Sequence, residues 1–294
     1  MKRNEHSVSA LPGKLSVSLG REDSENPGLA DEVVDRIVEL NRGSLIVNAD
    51  DWGRDREVTD RTLACVLRGT VSSVSAMVFM ADSQRASEIA REASIDAGLH
   101  LNFTTAFTAP ECPATLVEHQ AKISACLRKN AFAQAFYHPR LAQSFQYVVR
   151  AQLDEYRRLH DREPVRLDGH HHMHLCSNVL LGRLLPAGSL VRRNFSFQPG
   201  EKSLLNRLYR RWIDRQLARR HRLTDFFFSL PPLQPRSRLE RIFSLARQFV
   251  VEVETHPINP EEHQFLAEGE ILRWVGEGGI APRYVVRPIG NSQR

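Results

Sequence analysis

No stretch of this 294-residue sequence stays apolar for the ~20 residues that a membrane-spanning helix needs. The opening residues, MKRNEHSVSALPGKLSVSLG, start basic but lack the continuous apolar segment of a secretory signal. Cysteine is scarce. Cys65, Cys112, Cys126 and Cys176 lie far apart with no CxxC pair, which argues against a zinc knot or a disulfide frame and for reduced, mostly buried thiols. These absences together set the expectation of a cytoplasmic protein. There is no internal repeat. Acidic residues nearly balance basic ones: the net charge is +5, and the excess concentrates in NRLYRRWIDRQLARRHR over 206–222. That stretch reads first as a solvated helix face, with an anionic substrate, a membrane surface or a partner as alternatives. Its Leu, Trp and Ile recur at helical spacing, as in a docked surface helix, so no nucleic-acid partner is expected.

A hydrophobic content of 41% is enough for a sizeable core in a chain of this length. Residues 1–28 are polar, show no sustained periodicity and read as disordered. LADEVVDRIVELNR (29–42) spaces its apolar residues at helical intervals and reads as a short amphipathic helix. The division is therefore an N-terminal extension over 1–43 and a single domain over 44–294. From residue 44 short apolar runs that end in polar residues alternate with helical patterns. Strands are expected at SLIVNADD, SSVSAMVF, IDAGLHLN, VRLDGH, 189–194, 225–229 and 249–255. Helices are expected at EVTDRTLACVLRG, ADSQRASEIAREAS, 114–129, 141–160, 201–222, 235–248 and 262–276. This alternation implies an α/β fold with a parallel sheet. A barrel is favoured because polar residues collect at strand C-terminal ends, the active-site face of (β/α) barrels.

The first strand ends in Asn48, Asp50 and Asp51, the second in Ser75, and the third in His100 and Asn102. The fourth ends in Asp168, His170, His172 and His174 within DGHHHMH, and the seventh in Glu252, Glu254 and His256. If the chain stays extended, His170, His172 and His174 point one way and His171 another. Adjacent aspartates repel, and a cation would offset that cost. A helix N-cap is the simpler use of such a pair taken alone. The joint occurrence at four strand ends favours a shared centre. One aspartate and two histidines with open positions suit metal-assisted hydrolysis, and the same set suits non-haem Fe(II) oxygenases.

Five blocks in order, NADDWG (48–53), GTVSSVSAMV (69–78), GLHLNFT (98–104), LDGHHHMH (167–174) and VEVETHP (251–257), resemble the YdjC-like carbohydrate deacetylases. That family includes chito-oligosaccharide deacetylases and a hopanoid-biosynthesis branch. The resemblance spans about residues 44–288. It implies a distorted (β/α) TIM-like barrel of the glycoside hydrolase/deacetylase type. It implies one divalent cation, Mg²⁺ or Zn²⁺, and hydrolysis of the N-acetyl group of an amino sugar or glycolipid. It places the metal on Asp51, His100 and His170, the general base on Asp50, and the general acid or oxyanion stabiliser on His256. Arg192 polarises the base or binds substrate, with Arg193 an equally available register. Trp52, where the family carries Phe, is a candidate to stack on a sugar, and Asn102, His172 and His174 are candidate substrate-facing groups. A homodimer is expected from the family alone. The competing expectations are another metal-dependent hydrolase, for phosphoesters or cyclic amides, and a non-catalytic sugar- or lipid-binding protein.

Overall fold

A computed structural model describes residues 43–129, 132–197, 201–276 and 279–286. Of the expected 1–43 extension, residues 1–42, including the expected helix at 29–42, lie outside the described residues.

The strands are β1 (Ser44–Trp52), β2 (Ser73–Ala76), β3 (Ala97–Leu101), β4 (Arg166–Gly169), β5 (Leu190–Val191), β6 (Phe226–Ser229) and β7 (Val250–Thr255). They form one parallel sheet in the order β5-β4-β3-β2-β1-β7-β6. Its two edges nearly meet: the Val191 amide donates to Arg222 O at 2.9 Å and the Ser196 amide to Phe227 O at 2.8 Å. The result is a distorted seven-stranded barrel. The helices are α1 (Arg56–Leu67), α2 (Ser83–Glu92), α3 (Ala114–Leu127), α4 (Ala142–His160), α5 (Ser177–Leu181), α6 (Leu204–Ala218), α7 (Arg236–Leu245), α8 (Pro260–Ala267) and α9 (Glu270–Val275). The single helix expected at 262–276 is two, because Gly269 breaks it in a left-handed conformation (φ +72°).

Strand alternation sorts chemistry to the two faces of the sheet. Leu45, Val47 and Ala49 of β1, Leu99 and Leu101 of β3, and Val251 and Val253 of β7 belong to one continuous apolar core with helix residues such as Cys65, Leu116, Phe145 and Tyr156. The intervening residues carry the opposite character: Asn48, Asp50, Ser73, Ser75, His100, Arg166, Asp168, Glu252 and Glu254 are all buried. A small apolar cluster of Ile46, Val250 and Ala281, with Tyr284 against it, packs separately from the main core. The Ala281 amide bonds to Leu45 O at 2.8 Å, which fastens the 280–286 segment to the start of β1. The barrel interior is thus polar, unlike the layers of branched apolar side chains usual in (β/α) barrels. Polar atoms buried this deeply persist only if each finds a partner.

Candidate active site

The pair Asp50–Asp51 is placed by a bulge. Asn48 and Ala49 pair with Ser73 and Val74, but the next pair is Trp52 with Ala76, so β1 carries one extra residue. Asp51 adopts a left-handed φ of +67°, a conformation that Asp tolerates better than most residues. The bulge is what lets consecutive carboxylates approach one centre. Helix capping is not their role: Asp55 caps α1, accepting from the Val58 amide at 3.0 Å.

Asp51, His100 and His170 meet at the barrel mouth, with one ligand atom from each within 4.8 Å of the others. His100 Nε2 lies 3.4 Å and His170 Nδ1 2.8 Å from Asp51 Oδ1. Neither approach has hydrogen-bond alignment: Asp51 Oδ1 and His100 Nε2 are both buried without a hydrogen-bond partner. Two buried orphan atoms that can each offer a lone pair, aimed at a shared point, are what a cation would satisfy. His100 Nδ1 lies 2.8 Å from Asp168 Oδ1. An Nδ1–H donated to that carboxylate leaves Nε2 as the free lone pair, the carboxylate–histidine support common behind metal ligands. The donor set therefore fits a divalent cation. Burial pushes the His100 imidazole down, but Asp50, Asp168 and Asp51 outweigh it and lift its pKa to about 10. Burial likewise disfavours ionised Asp51, yet the imidazoles of His100 and His170 hold it far below the usual carboxylate range.

Asp50 is the opposite case, a saturated carboxylate. Arg192 grips it through two nitrogens, at 2.6 Å and 2.7 Å, and Asn48 Nδ2 donates at 2.8 Å. Burial raises its pKa, but Arg192 and then His100 bring it below the ordinary value. Arg192 is fully buried and also reaches Glu252 at 2.7 Å, Asp168 at 3.2 Å and Glu254 at 3.4 Å. Asp168 is further held by Ser75 Oγ at 2.5 Å and Arg166 at 3.1 Å. Two arginines thus counter the interior carboxyls, and the balance holds Asp168, like Asp50, below the ordinary range. Burial raises the pKa of the remaining two, Glu252 and, more strongly, Glu254.

Residues 44–273 match the profile of the YdjC-like protein family. The chain belongs to that family. A carbohydrate deacetylase from Mus musculus is 33% identical over 47% of this chain and 45% of its own length. The human carbohydrate deacetylase is 30% identical over 47% of this chain and 43% of its own. A chitooligosaccharide deacetylase from Yersinia pestis (strain Pestoides F) is 28% identical over 61% of this chain and 63% of its own. This chain therefore spans about half the length of the two mammalian relatives, and under two thirds of the bacterial one. Among solved structures, an Enterococcus faecalis protein described as a putative cellobiose-phosphate cleavage protein superimposes with a TM-score of 0.58. At 19% identity, over 81% of this chain and 96% of that one, the likeness concerns the fold alone.

Several expected site residues of this YdjC-like chain sit elsewhere than expected. DGHHHMH does not stay extended: His170–Leu175 is a 3₁₀ segment with left-handed φ at His171 (+55°) and His172 (+57°). The i, i+2 argument therefore fails after His170. His171 packs on the His170 ring at 4.0 Å between centroids, and its Nδ1 lies 2.9 Å from Thr104 Oγ1. His172 stands against Phe195 and Phe227, 3.6 Å from Glu254. Burial lowers the pKa of His172 and raises that of Glu254, so it works against an ion pair there. His174 is fully buried with Nε2 2.9 Å from Arg192 O, so it ties the turn to β5 and does not face substrate.

Trp52 is fully buried, its Nε1 donating to Ala86 O at 3.1 Å, and offers no ring face to a sugar. Asn102 is spent on its own loop, accepting from the Thr104 and Thr105 amides and donating to Thr105 O. Arg192 grips the interior carboxylates and is shut off from substrate. Arg193 points outward to Asp214 and to the Asp225 carbonyl, which settles the register in favour of Arg192. His256 follows β7, half-buried, with its amide held by Glu262 at 2.9 Å.

Three contributors, Arg166, Arg54 and Glu262, escaped the sequence reading, and Asp168 was named at its strand end without its role behind His100. Asp168 and Arg166 share a face with each other by strand alternation, a signal that was available. Arg54, which donates to Asp51 Oδ2 at 2.8 Å, and Glu262 carry no such signal.

Proposed function

We propose that this protein is a metal-dependent deacetylase that hydrolyses the N-acetyl group of an amino sugar or glycoconjugate and releases acetate. The observation that carries the reading is the pair of buried, unpartnered atoms, Asp51 Oδ1 and His100 Nε2, converging with His170 beside a carboxylate held in place by Arg192. The names of the relatives support the substrate class.

Asp51, His100 and His170 would hold the cation. Two imidazoles among three donors favour Zn²⁺ over Mg²⁺. When bound, a divalent cation supplies Lewis acidity, polarising the acetyl carbonyl and lowering the pKa of water toward about 7. Asp50 Oδ2 lies 3.9 Å from His100 Nε2, on the side of the cluster, and takes the proton of the attacking water. Arg192 and Asn48 hold that carboxylate ionised and oriented. They also make it a weak base, so it deprotonates only an acidified water, and turnover requires the cation. His256, at the mouth and anchored through its backbone, donates a proton to the departing amine. Glu262 positions that turn by accepting from Thr255 Oγ1 at 2.7 Å, the His256 amide at 2.9 Å and Asn259 Nδ2 at 2.6 Å.

The test is acetate release from a panel of N-acetylated sugars, assayed with Zn²⁺, with Mg²⁺ and with chelator. The expected result is release that needs the cation. Turnover of phosphoesters without acetate release from any amino sugar contradicts the reading.

A further inference from the structure

Helix α6 lies in the basic stretch and does not behave as a solvated helix. Its inner face is ordinary: Ile213, Asp214 and Leu217 are buried, and Asp214 is committed to Arg193 and Asn194. Its outer face exposes Leu204, Leu205, Leu208, Tyr209 and Trp212, with Leu205 79% and Trp212 51% accessible. At 100° per residue these side chains share one side of the helix, so they form a stripe and not a scatter of single exposed residues. Arg211 and Arg215 project from the same side toward the C-terminal end, Arg219 is the C-cap, and Arg220 follows it.

A solvated helix of this protein looks different. On α4, exposed Arg157 pairs with Asp154 and Glu163, and Arg158 with Glu155. Among the described residues Arg211, Arg215 and Arg220 have no carboxylate partner, and Arg219 meets only Gln216. Among the described residues the outer face of α6 thus combines exposed apolar area with arginines that have no carboxylate partner.

We propose that α6 docks on an anionic lipid surface, with Leu204, Leu205, Leu208 and Trp212 entering the headgroup–acyl boundary and the arginines meeting lipid phosphates. This is the pattern of a helix that lies in a membrane interface without crossing it. Charge complementarity selects the occupant. A second copy paired about a two-fold axis would bring the same arginines together. A nucleic acid would satisfy the arginines but leave the leucine stripe in water. A cavity of about 470 Å³ lies between α6 and the turn after β4, lined by His171, His172, Asn206 and Tyr209 among others. Docking would set that cavity beside the lipid surface. Lipid binding of this kind does not depend on the proposed reaction.

The experiment is co-sedimentation of the full chain with vesicles of phosphatidylcholine alone and of phosphatidylcholine mixed with phosphatidylglycerol. The expected result is binding to the mixed vesicles only, weakened by high salt. The double variant Leu205→Glu/Leu208→Glu is expected to lower the partition coefficient about ten-fold or more. Arg211→Glu/Arg215→Glu removes two attractive charges, each worth about a five-fold change near such a surface. All four side chains are exposed, and unchanged thermal melts confirm intact folding. Absence of binding to the mixed vesicles overturns the proposal, as does undiminished binding by both variants. So does a wild-type dimer in light scattering that these variants dissociate, or loss of duplex DNA binding in the variants with vesicle binding untouched.

Discussion

The interior of the barrel and its mouth are both polar and both buried, yet they are finished differently. Inside, nearly every polar atom is spent: Asn48 bridges Ser73, Ser75 and Asp50, and Arg192 joins Asp50, Asp168 and Glu252. Arg166 Nε, which has no hydrogen bond, belongs to a guanidinium stacked on the Tyr284 ring at 4.6 Å. At the mouth, Asp51 Oδ1 and His100 Nε2 face each other, each without a hydrogen-bond partner. The contrast separates a scaffold from a reactive site. Asp50 spans the two: Arg192 and Asn48 tie it to the scaffold, while its Oδ2 lies 3.9 Å from His100 Nε2, beside its chain neighbour Asp51 in the site. The bulge in β1 is the joint between the two.

The comparison breaks most severely at Arg192. Arg192→Met leaves Asp50, Asp168 and Glu252 buried without their main countercharge, and stability should fall by about 3–5 kcal/mol in urea unfolding. Asp168→Asn keeps the shape but weakens the hold on His100. Cation affinity by calorimetry should drop about 10–100-fold, with a far smaller stability loss than at Arg192. A third effect follows from the proton at the mouth. His100 without a cation has its pKa lifted to about 10, so at neutral pH it carries a proton that a cation must displace. Apparent cation affinity should therefore rise with pH, about ten-fold per unit where His100 dominates, and level off near its raised pKa. Calorimetry in buffers of different ionisation enthalpy should show proton release at neutral pH. The smallest effect lies at Gly98, where an added Cβ would stand 2.7 Å from Arg166 Cζ. Gly98→Ala should displace that guanidinium and cost about 1–3 kcal/mol, within the scaffold and away from the cation donors.

Much of this was legible in the sequence. All seven strands were expected where they occur, because parallel strands buried on both faces read as short apolar runs ending in polar residues. The same reading found the residues that meet at the mouth, since barrel topology sends strand C-terminal ends to one place. What it missed depends on single backbone angles. The left-handed φ of Asp51 turns Trp52 into the core, and those of His171 and His172 turn DGHHHMH from a strand into a tight coil. For helix α6 the sequence left a solvated face, an anionic substrate, a membrane surface or a partner open, because periodicity identifies an amphipathic helix without saying which side the protein covers. In the structure its arginines flank an exposed apolar stripe that includes Leu205 and Trp212.

The central claim is that Asp50 moves the proton while Asp51, His100 and His170 hold the cation. Acetate release and cation content measured together on Asp50→Asn and His100→Ala test it most directly. The account predicts that Asp50→Asn binds the cation but releases no acetate, and that His100→Ala loses both. Full turnover by Asp50→Asn, or by the wild-type protein stripped of cation, would contradict it.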